Sequence, residues 1–94
     1  MTVTVRLPQA LAPDAGGHTE LAFDLVPGAC LADLLGQVDQ QYPALGRRLR
    51  DETGAIRRFV NVYVGDDEAR ALDGLLTPVP AGAVVLVAGS VAGG

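Results

Sequence analysis

The chain has 94 residues, of which 49% are hydrophobic and 19% charged, and this length holds one small domain. Seven basic residues, all arginine, stand against eleven acidic ones, and the net charge of −4 argues against binding to nucleic acid or to an anionic membrane. The single Cys30 excludes an internal disulfide and a multi-cysteine zinc site, which is typical of a cytoplasmic protein. No apolar run has the ~20 residues of a membrane-spanning helix, and the first residues alternate instead of forming a signal peptide.

Two alternating segments near the start predict an antiparallel hairpin. Residues 2–7 and residues 20–26 both alternate apolar and polar side chains, which is the pattern of half-buried strands. Residues 8–19 contain two prolines and two glycines and are predicted to form the connecting loop. The inward side chains are expected to be Val3, Val5, Leu7, Leu21, Phe23 and Leu25.

The spacing then changes to that of one amphipathic helix, which Pro43 ends. Its N-cap is expected to be Gly28 or Ala29. Gly36 either costs this helix stability or permits a close approach to the sheet. Residues 44–50 are expected to add at most one irregular turn. The apolar stripe consists of Leu31, Leu34, Leu35, Val38 and Tyr42.

Three further strands are predicted after the helix. Residues 57–64 alternate, and we assign the valine face to the core, which leaves Phe59 and Tyr63 on the outer face of the sheet. Residues 68–72 could return as a short strand, and residues 83–88 are predicted as a central strand buried on both faces. The right-handed crossover rule places the strand after the helix parallel to one strand of the hairpin. The fold class is therefore α+β, with a mixed sheet of four to five strands packed on one main helix.

Few side chains are suited to catalysis. His18 lies in a predicted solvated loop, and Cys30 opens the helix without a base close to it in the sequence, so both are interpreted as structural. The acidic turn 66–68 lacks the spacing of a calcium loop, so no metal site is predicted. The chain is not expected to be an enzyme by itself and is expected to bind no cofactor.

The end of the sequence carries the functional signal. Glycine accounts for 12 residues, and the last two are Gly93 and Gly94. A terminal carboxylate with a pKa of ~3.5 is ionised at neutral pH, and a tail without Cβ atoms can enter a narrow channel. Val91, Ala92 and Gly93 are predicted to thread such a channel and to present Gly94 to another protein. We expect residues 1–88 to form the domain and residues 89–94 to form a flexible tail.

These features resemble the ThiS/MoaD family of ubiquitin-like sulfur carriers, and most of all its CysO-type branch for cysteine biosynthesis. The likeness spans the chain, and three segments carry it. They are Arg-Phe-Val-Asn-Val-Tyr-Val-Gly-Asp-Asp-Glu-Ala-Arg at 58–70, Gly-Leu-Leu-Thr at 74–77, and the final Val-Ala-Gly-Gly.

The resemblance implies a β-grasp (ubiquitin-like) fold and a cytoplasmic protein that serves as a substrate of enzymes. An E1-like adenylyltransferase, using ATP and magnesium, would adenylate Gly94 and convert it to a thiocarboxylate. A pyridoxal-phosphate (PLP)-dependent cysteine synthase-type enzyme would then accept the sulfur, and a zinc-dependent (JAMM-type) hydrolase would release cysteine. Phe59 and Tyr63 are the expected partner interface.

Other functions remain open at the level of sequence. The acceptor could be a related sulfur metabolite instead of cysteine. The same fold also serves as the small subunit of a molybdopterin synthase and as a ubiquitin-like protein modifier. A β-grasp interaction module with an inert tail is the remaining alternative.

Overall fold

Five strands form one mixed sheet in the computed structural model, which describes residues 1–89. The strands are β1 (Thr2–Arg6), β2 (Glu20–Asp24), β3 (Val60–Val64), β4 (Asp67–Glu68) and β5 (Val84–Gly89). Their order is β2-β1-β5-β3-β4, and β1 with β5 is the parallel pair among antiparallel neighbours. The predicted hairpin and the α+β class with a four- to five-stranded mixed sheet are confirmed.

Two α-helices, α1 (Leu31–Gln41) and α2 (Pro43–Leu49), pack on one face of this sheet. The apolar stripe predicted for α1 is confirmed, because Leu31, Leu34, Leu35 and Val38 are all buried, with Tyr42 half-buried beside them. They meet the inward residues of the strands, among them Val5, Val62 and Val85. The expected direction of β3 is also confirmed: it runs parallel to β2, although β1 and β5 lie between them.

The N-terminal cap of α1 is Cys30, so the prediction of Gly28 or Ala29 was wrong. The backbone N–H of Cys30 donates to the carboxylate of Asp33 at 2.8 Å, while the side chain of Cys30 accepts from the Asp33 backbone. The hydrogen bonds from Cys30 lower the pKa of Asp33 below its usual value of 3.8. A thiol thus fills the position that serine or threonine usually takes in a capping box.

The segment after Pro43 is more regular than predicted, since α2 has 7 residues. Gly46 of α2 lies against α1, where a Cβ atom would stand 3.0 Å from Cα of Asp39, so α1 and α2 meet at a glycine. Arg50 stabilises this contact between α1 and α2, because its Nη2 donates to the Asp39 carboxylate at 2.5 Å. At Gly36, in contrast, an added Cβ atom would meet no atom within 4 Å, so of the two alternatives for this glycine the close approach to the sheet is wrong.

Three other predictions differ from the structure. Residues 9–15 form a 3-10 helix instead of a loop. The strand predicted at 68–72 stops at Glu68, because the Glu68 carboxylate accepts from the Arg70 N–H at 2.7 Å and caps the 3-10 turn Ala69–Ala71. The last strand is buried on one face only, since Val84 and Leu86 are exposed on the face opposite the helices.

None of the helices within residues 1–89 is long and apolar enough to cross a membrane. β5 extends through Gly89, the first residue of the predicted tail. The domain boundary at residue 88 stays a prediction.

Candidate functional site

The predicted reactive group lies outside the described residues. This applies to Gly94 and to the three residues expected to precede it in a channel, Val91, Ala92 and Gly93. The structure does describe the strand that leads to them. The last described pair of the β3–β5 ladder joins Val60 to Gly89, so the last described residue lies beside the beginning of β3.

One row of side chains crosses the outer face, which is the face of the sheet opposite α1 and α2. Strand register places its five members next to one another in the order Glu20, Arg6, Leu86, Tyr63 and Glu68. The Arg6 Nε donates to the Glu20 carboxylate at 3.2 Å. The row therefore has an apolar centre with charged groups on both sides.

The apolar centre of the outer face is larger than the sequence predicted. Leu86 and Val84 are 42% and 40% exposed, and Tyr63 lies beside Leu86 with its side chain half-buried. Within residues 1–89 no helix covers this face. Exposed apolar side chains that adjoin one another are typical of surfaces that bind proteins.

Phe59 adds an aromatic ring next to Val60, the strand partner of Gly89. It precedes β3 directly, so the strand begins three residues later than the predicted residue 57. The ring is 49% exposed, and the Arg58 guanidinium lies 5.4 Å from its centroid. Arginine and aromatic side chains are the types most enriched at binding hot spots.

Arg70 holds the segment that carries Phe59. Its guanidinium donates to the Arg57 carbonyl at 2.9 Å and to the Asn61 side chain at 3.2 Å, and it also contacts Glu68 at 3.5 Å. These bonds join the turn after β4 to both sides of Phe59. Nothing in the sequence pattern predicts this role, because Arg57 lies thirteen residues from Arg70 along the chain.

The side chains of residues 1–89 do not assemble a metal centre. No group of three or more histidine, cysteine or acidic side chains there is arranged to hold a metal ion. Cys30 is partly exposed and caps α1, while His18 lies in an exposed turn. Asp66 lies in the exposed turn after β3, and the exposed Asp67 begins β4.

The whole chain is similar to curated sulfur carriers. It is 34% identical over 96 residues to the sulfur carrier protein CysO of Mycobacterium tuberculosis, and the alignment covers 100% of both chains. No family model matches the sequence.

Solved structures agree with that likeness. The CysO chain in the BexX/CysO complex of Amycolatopsis orientalis matches with a TM-score of 0.83 at 32% identity, covering 98% of this chain and 99% of that one. SAMP1 from Haloferax volcanii matches with a TM-score of 0.84 over 100% of both chains, but its 24% identity shows only that the fold is shared. These neighbours are ubiquitin-like proteins, as the predicted β-grasp fold requires.

Proposed function

The chain belongs to the family of CysO sulfur carrier proteins, and from this premise we propose that the carboxylate of Gly94 is the group that carries the sulfur. The observation that carries the proposal is the full-length likeness to CysO, at 34% identity over 100% of both chains. The proposal concerns Gly94 and its activation, since the family itself is established by that likeness.

The proposed chemistry takes place in partner enzymes. An E1-like adenylyltransferase binds ATP and magnesium, and a carboxylate oxygen of Gly94 attacks the α-phosphorus while pyrophosphate leaves. Sulfide then adds to the carbonyl carbon of the acyl-adenylate, and AMP leaves with the bonding electron pair. The product is a thiocarboxylate, in which a soft anionic sulfur is held covalently on the chain.

The fold suits this role because the sheet fixes the position of Gly89, the first residue of the predicted tail. Five residue pairs join β5 to β3, and three more join it to β1, so the last described strand has hydrogen-bonded neighbours on both sides. Gly93 and Gly94 carry no side chain, and Ala92 and Val91 carry small ones. A slender tail on a rigid domain is what a narrow active-site channel requires.

We place the interface with the activating enzyme on the outer face. Phe59 and Tyr63 remain its proposed anchors, and the exposure of Leu86 beside Tyr63 extends the apolar area toward β1. Phe59 adjoins Val60, the partner of Gly89, so an enzyme that covers this ring also lies next to the origin of the tail. Aromatic anchors at the centre of an interface supply much of its binding energy.

The later partners follow from the same premise. We propose that a PLP-dependent cysteine synthase-type enzyme accepts the sulfur, that a zinc-dependent (JAMM-type) hydrolase frees the product, and that the chain catalyses none of these steps. The solved BexX/CysO complex is a case of a CysO protein bound to a protein partner. The proposed location is the cytoplasm.

The two alternatives within this fold have less support. The likeness to SAMP1 at 24% identity shows the fold alone, so it does not favour a protein modifier. A putative molybdopterin converting factor subunit from Pyrococcus furiosus is 20% identical to this chain. That likeness also shows the fold alone, so it does not favour a molybdopterin synthase subunit.

The proposed activation predicts ATP–pyrophosphate exchange that depends on Gly94. With the adenylyltransferase from the same organism, the intact chain is expected to support exchange of labelled pyrophosphate into ATP. A chain that lacks Gly94 is expected to support none. Exchange that persists without Gly94 would contradict the assignment, and the Leu76→Ala variant, altered at an exposed side chain away from the outer face, is the matched control.

A further inference from the structure

A second apolar surface lies at the end of the sheet opposite Gly89. It is a groove with a volume of about 620 Å³. Five separate stretches of the chain line it, so no single stretch of sequence reveals it. The main lining residues are Pro27, Ala29, Val64, Leu72, Val79 and Pro80.

Backbone hydrogen bonds hold the walls of this groove in place. The Leu31 N–H donates to the Thr77 carbonyl at 2.9 Å, and the Val79 N–H donates to the Ala29 carbonyl at 3.0 Å. The Thr77 hydroxyl, which is almost fully buried, accepts from the Asp73 N–H at 3.1 Å. With prolines in both walls, the groove is formed before anything binds, which lowers the entropic cost of docking.

Apolar side chains at the groove remain open to solvent. Leu72 lines it and is 42% exposed. Val26 and Leu76 adjoin lining residues in the chain, and both are largely exposed. Within residues 1–89, half of the large exposed hydrophobic side chains therefore belong to this end of the molecule and half to the outer face or its edge.

The charge around the groove is negative. Asp73 lines it, and Asp66 and Asp67 follow the lining residue Val64. None of these three carboxylates forms an ion pair within the described part of the chain. The lining residues include no arginine, and the ammonium group of the lining residue Met1 is already paired with the Asp24 carboxylate at 3.1 Å. The Arg70 guanidinium donates to the Arg57 carbonyl, three residues before β3.

The groove is also separate from the proposed interface. β5 starts at the groove end and runs six residues to Gly89. At ~3.3 Å per residue the origin of the tail lies about 17 Å away. A partner seated in the groove would leave the tail free to enter an active site.

We infer that the groove is a second docking site, which takes a segment of a partner protein that presents an apolar side chain flanked by lysine or arginine. The apolar side chain fills the space between Leu72 and Pro80, and the cations face Asp73 and the turn at Asp66. This inference goes beyond the proposed function, because it requires neither Gly94 nor the outer face. It gives the carrier a contact that can persist while the tail is being modified.

The test is a titration of the isotope-labelled full chain with a short, end-capped peptide of alternating leucine and lysine. Amide signals of Ala29, Leu72 and Ala81 are expected to shift, while those of Phe59 and Leu86 stay in place. The same peptide with every lysine replaced by glutamate is expected to bind at least ~10-fold more weakly. Equal affinity for the two peptides, or shifts confined to the outer face, would overturn the inference.

Two substitutions of leucine, equal in exposure, supply the matched control. Leu72→Arg is expected to weaken binding of the lysine peptide by ~10–100-fold, since it removes an apolar wall and adds a like charge. Leu86→Arg, also at a leucine that is 42% exposed, is expected to leave it unchanged. Asp73→Asn, which keeps both apolar walls, is expected to weaken it ~2–5-fold at low salt.

The peptide titration tests the groove, and pyrophosphate exchange tests Gly94, so the two proposals can fail independently. Peptide binding that is unchanged in both Leu72→Arg and Asp73→Asn would end the groove assignment. Leu72→Arg is expected to support pyrophosphate exchange as the unaltered chain does. Loss of exchange on removing Gly94 says nothing about the groove, and the peptide titration says nothing about Gly94.

Discussion

Replacing Leu34 by alanine is expected to lower the free energy of unfolding by ~2–5 kcal/mol, the range for a buried leucine whose removal leaves a cavity. Leu34 has no exposed surface and lies in the centre of the α1 stripe. The loss is a large share of the ~5–15 kcal/mol that stabilises a typical domain. Urea denaturation followed by circular dichroism measures it.

Gly36→Ala is the control for this change, because it alters the same helix where the added methyl meets no atom within 4 Å. Alanine is a better helix former than glycine, so the variant is expected to gain up to ~1 kcal/mol. A neutral Leu34→Ala would contradict the assignment of the helix face to the core.

Replacing Phe59 by alanine is expected to weaken binding of the adenylyltransferase by ~10–100-fold, as is common for an aromatic hot spot. Its effect on folding is expected to stay below ~1 kcal/mol, because half of the ring is already in solvent and the turn is held by Arg70. Calorimetric titration gives the dissociation constant, and thermal unfolding gives the stability.

Leu76→Ala is a suitable control for Phe59→Ala, since it shortens an exposed apolar side chain away from the outer face. It is expected to leave binding of the adenylyltransferase unchanged. The Phe59→Ala variant could instead have a melting temperature well below that of the unaltered chain and still bind the enzyme with unchanged affinity. The ring would then be part of the fold and not of the interface.

Elements with a clear local period were predictable from the sequence. The stripe of α1 and the inward position of Val62 follow from spacing alone, because one buried face imposes its period on the sequence. Tyr63 could be assigned to the outer face for the same reason, whereas Phe59, predicted on the same strand face, lies in the turn before β3. The proposal for Gly94 rests on the sequence and the family alone and stays a prediction.

The features that depend on distant parts of the chain were not predictable. The apolar run at 83–88 does not reveal whether a second layer covers it, so the exposure of Leu86 appeared only in the structure. The N-cap at Cys30 was missed because a thiol is an unusual cap. The bonds of Arg70 and the groove at Leu72 both join segments that only the fold brings together.

The central claim is that Gly94, and no other group, takes up the sulfur. The chain is incubated with the adenylyltransferase, ATP and sulfide, and intact mass is followed by digestion with trypsin. Arg70 is the last basic residue, so residues 71–94 are released as one fragment. The predicted result is a gain equal to the exchange of one oxygen for sulfur, confined to that fragment and absent without ATP. Addition of a whole sulfur atom to the fragment that contains Cys30, or no change in residues 71–94, would contradict it.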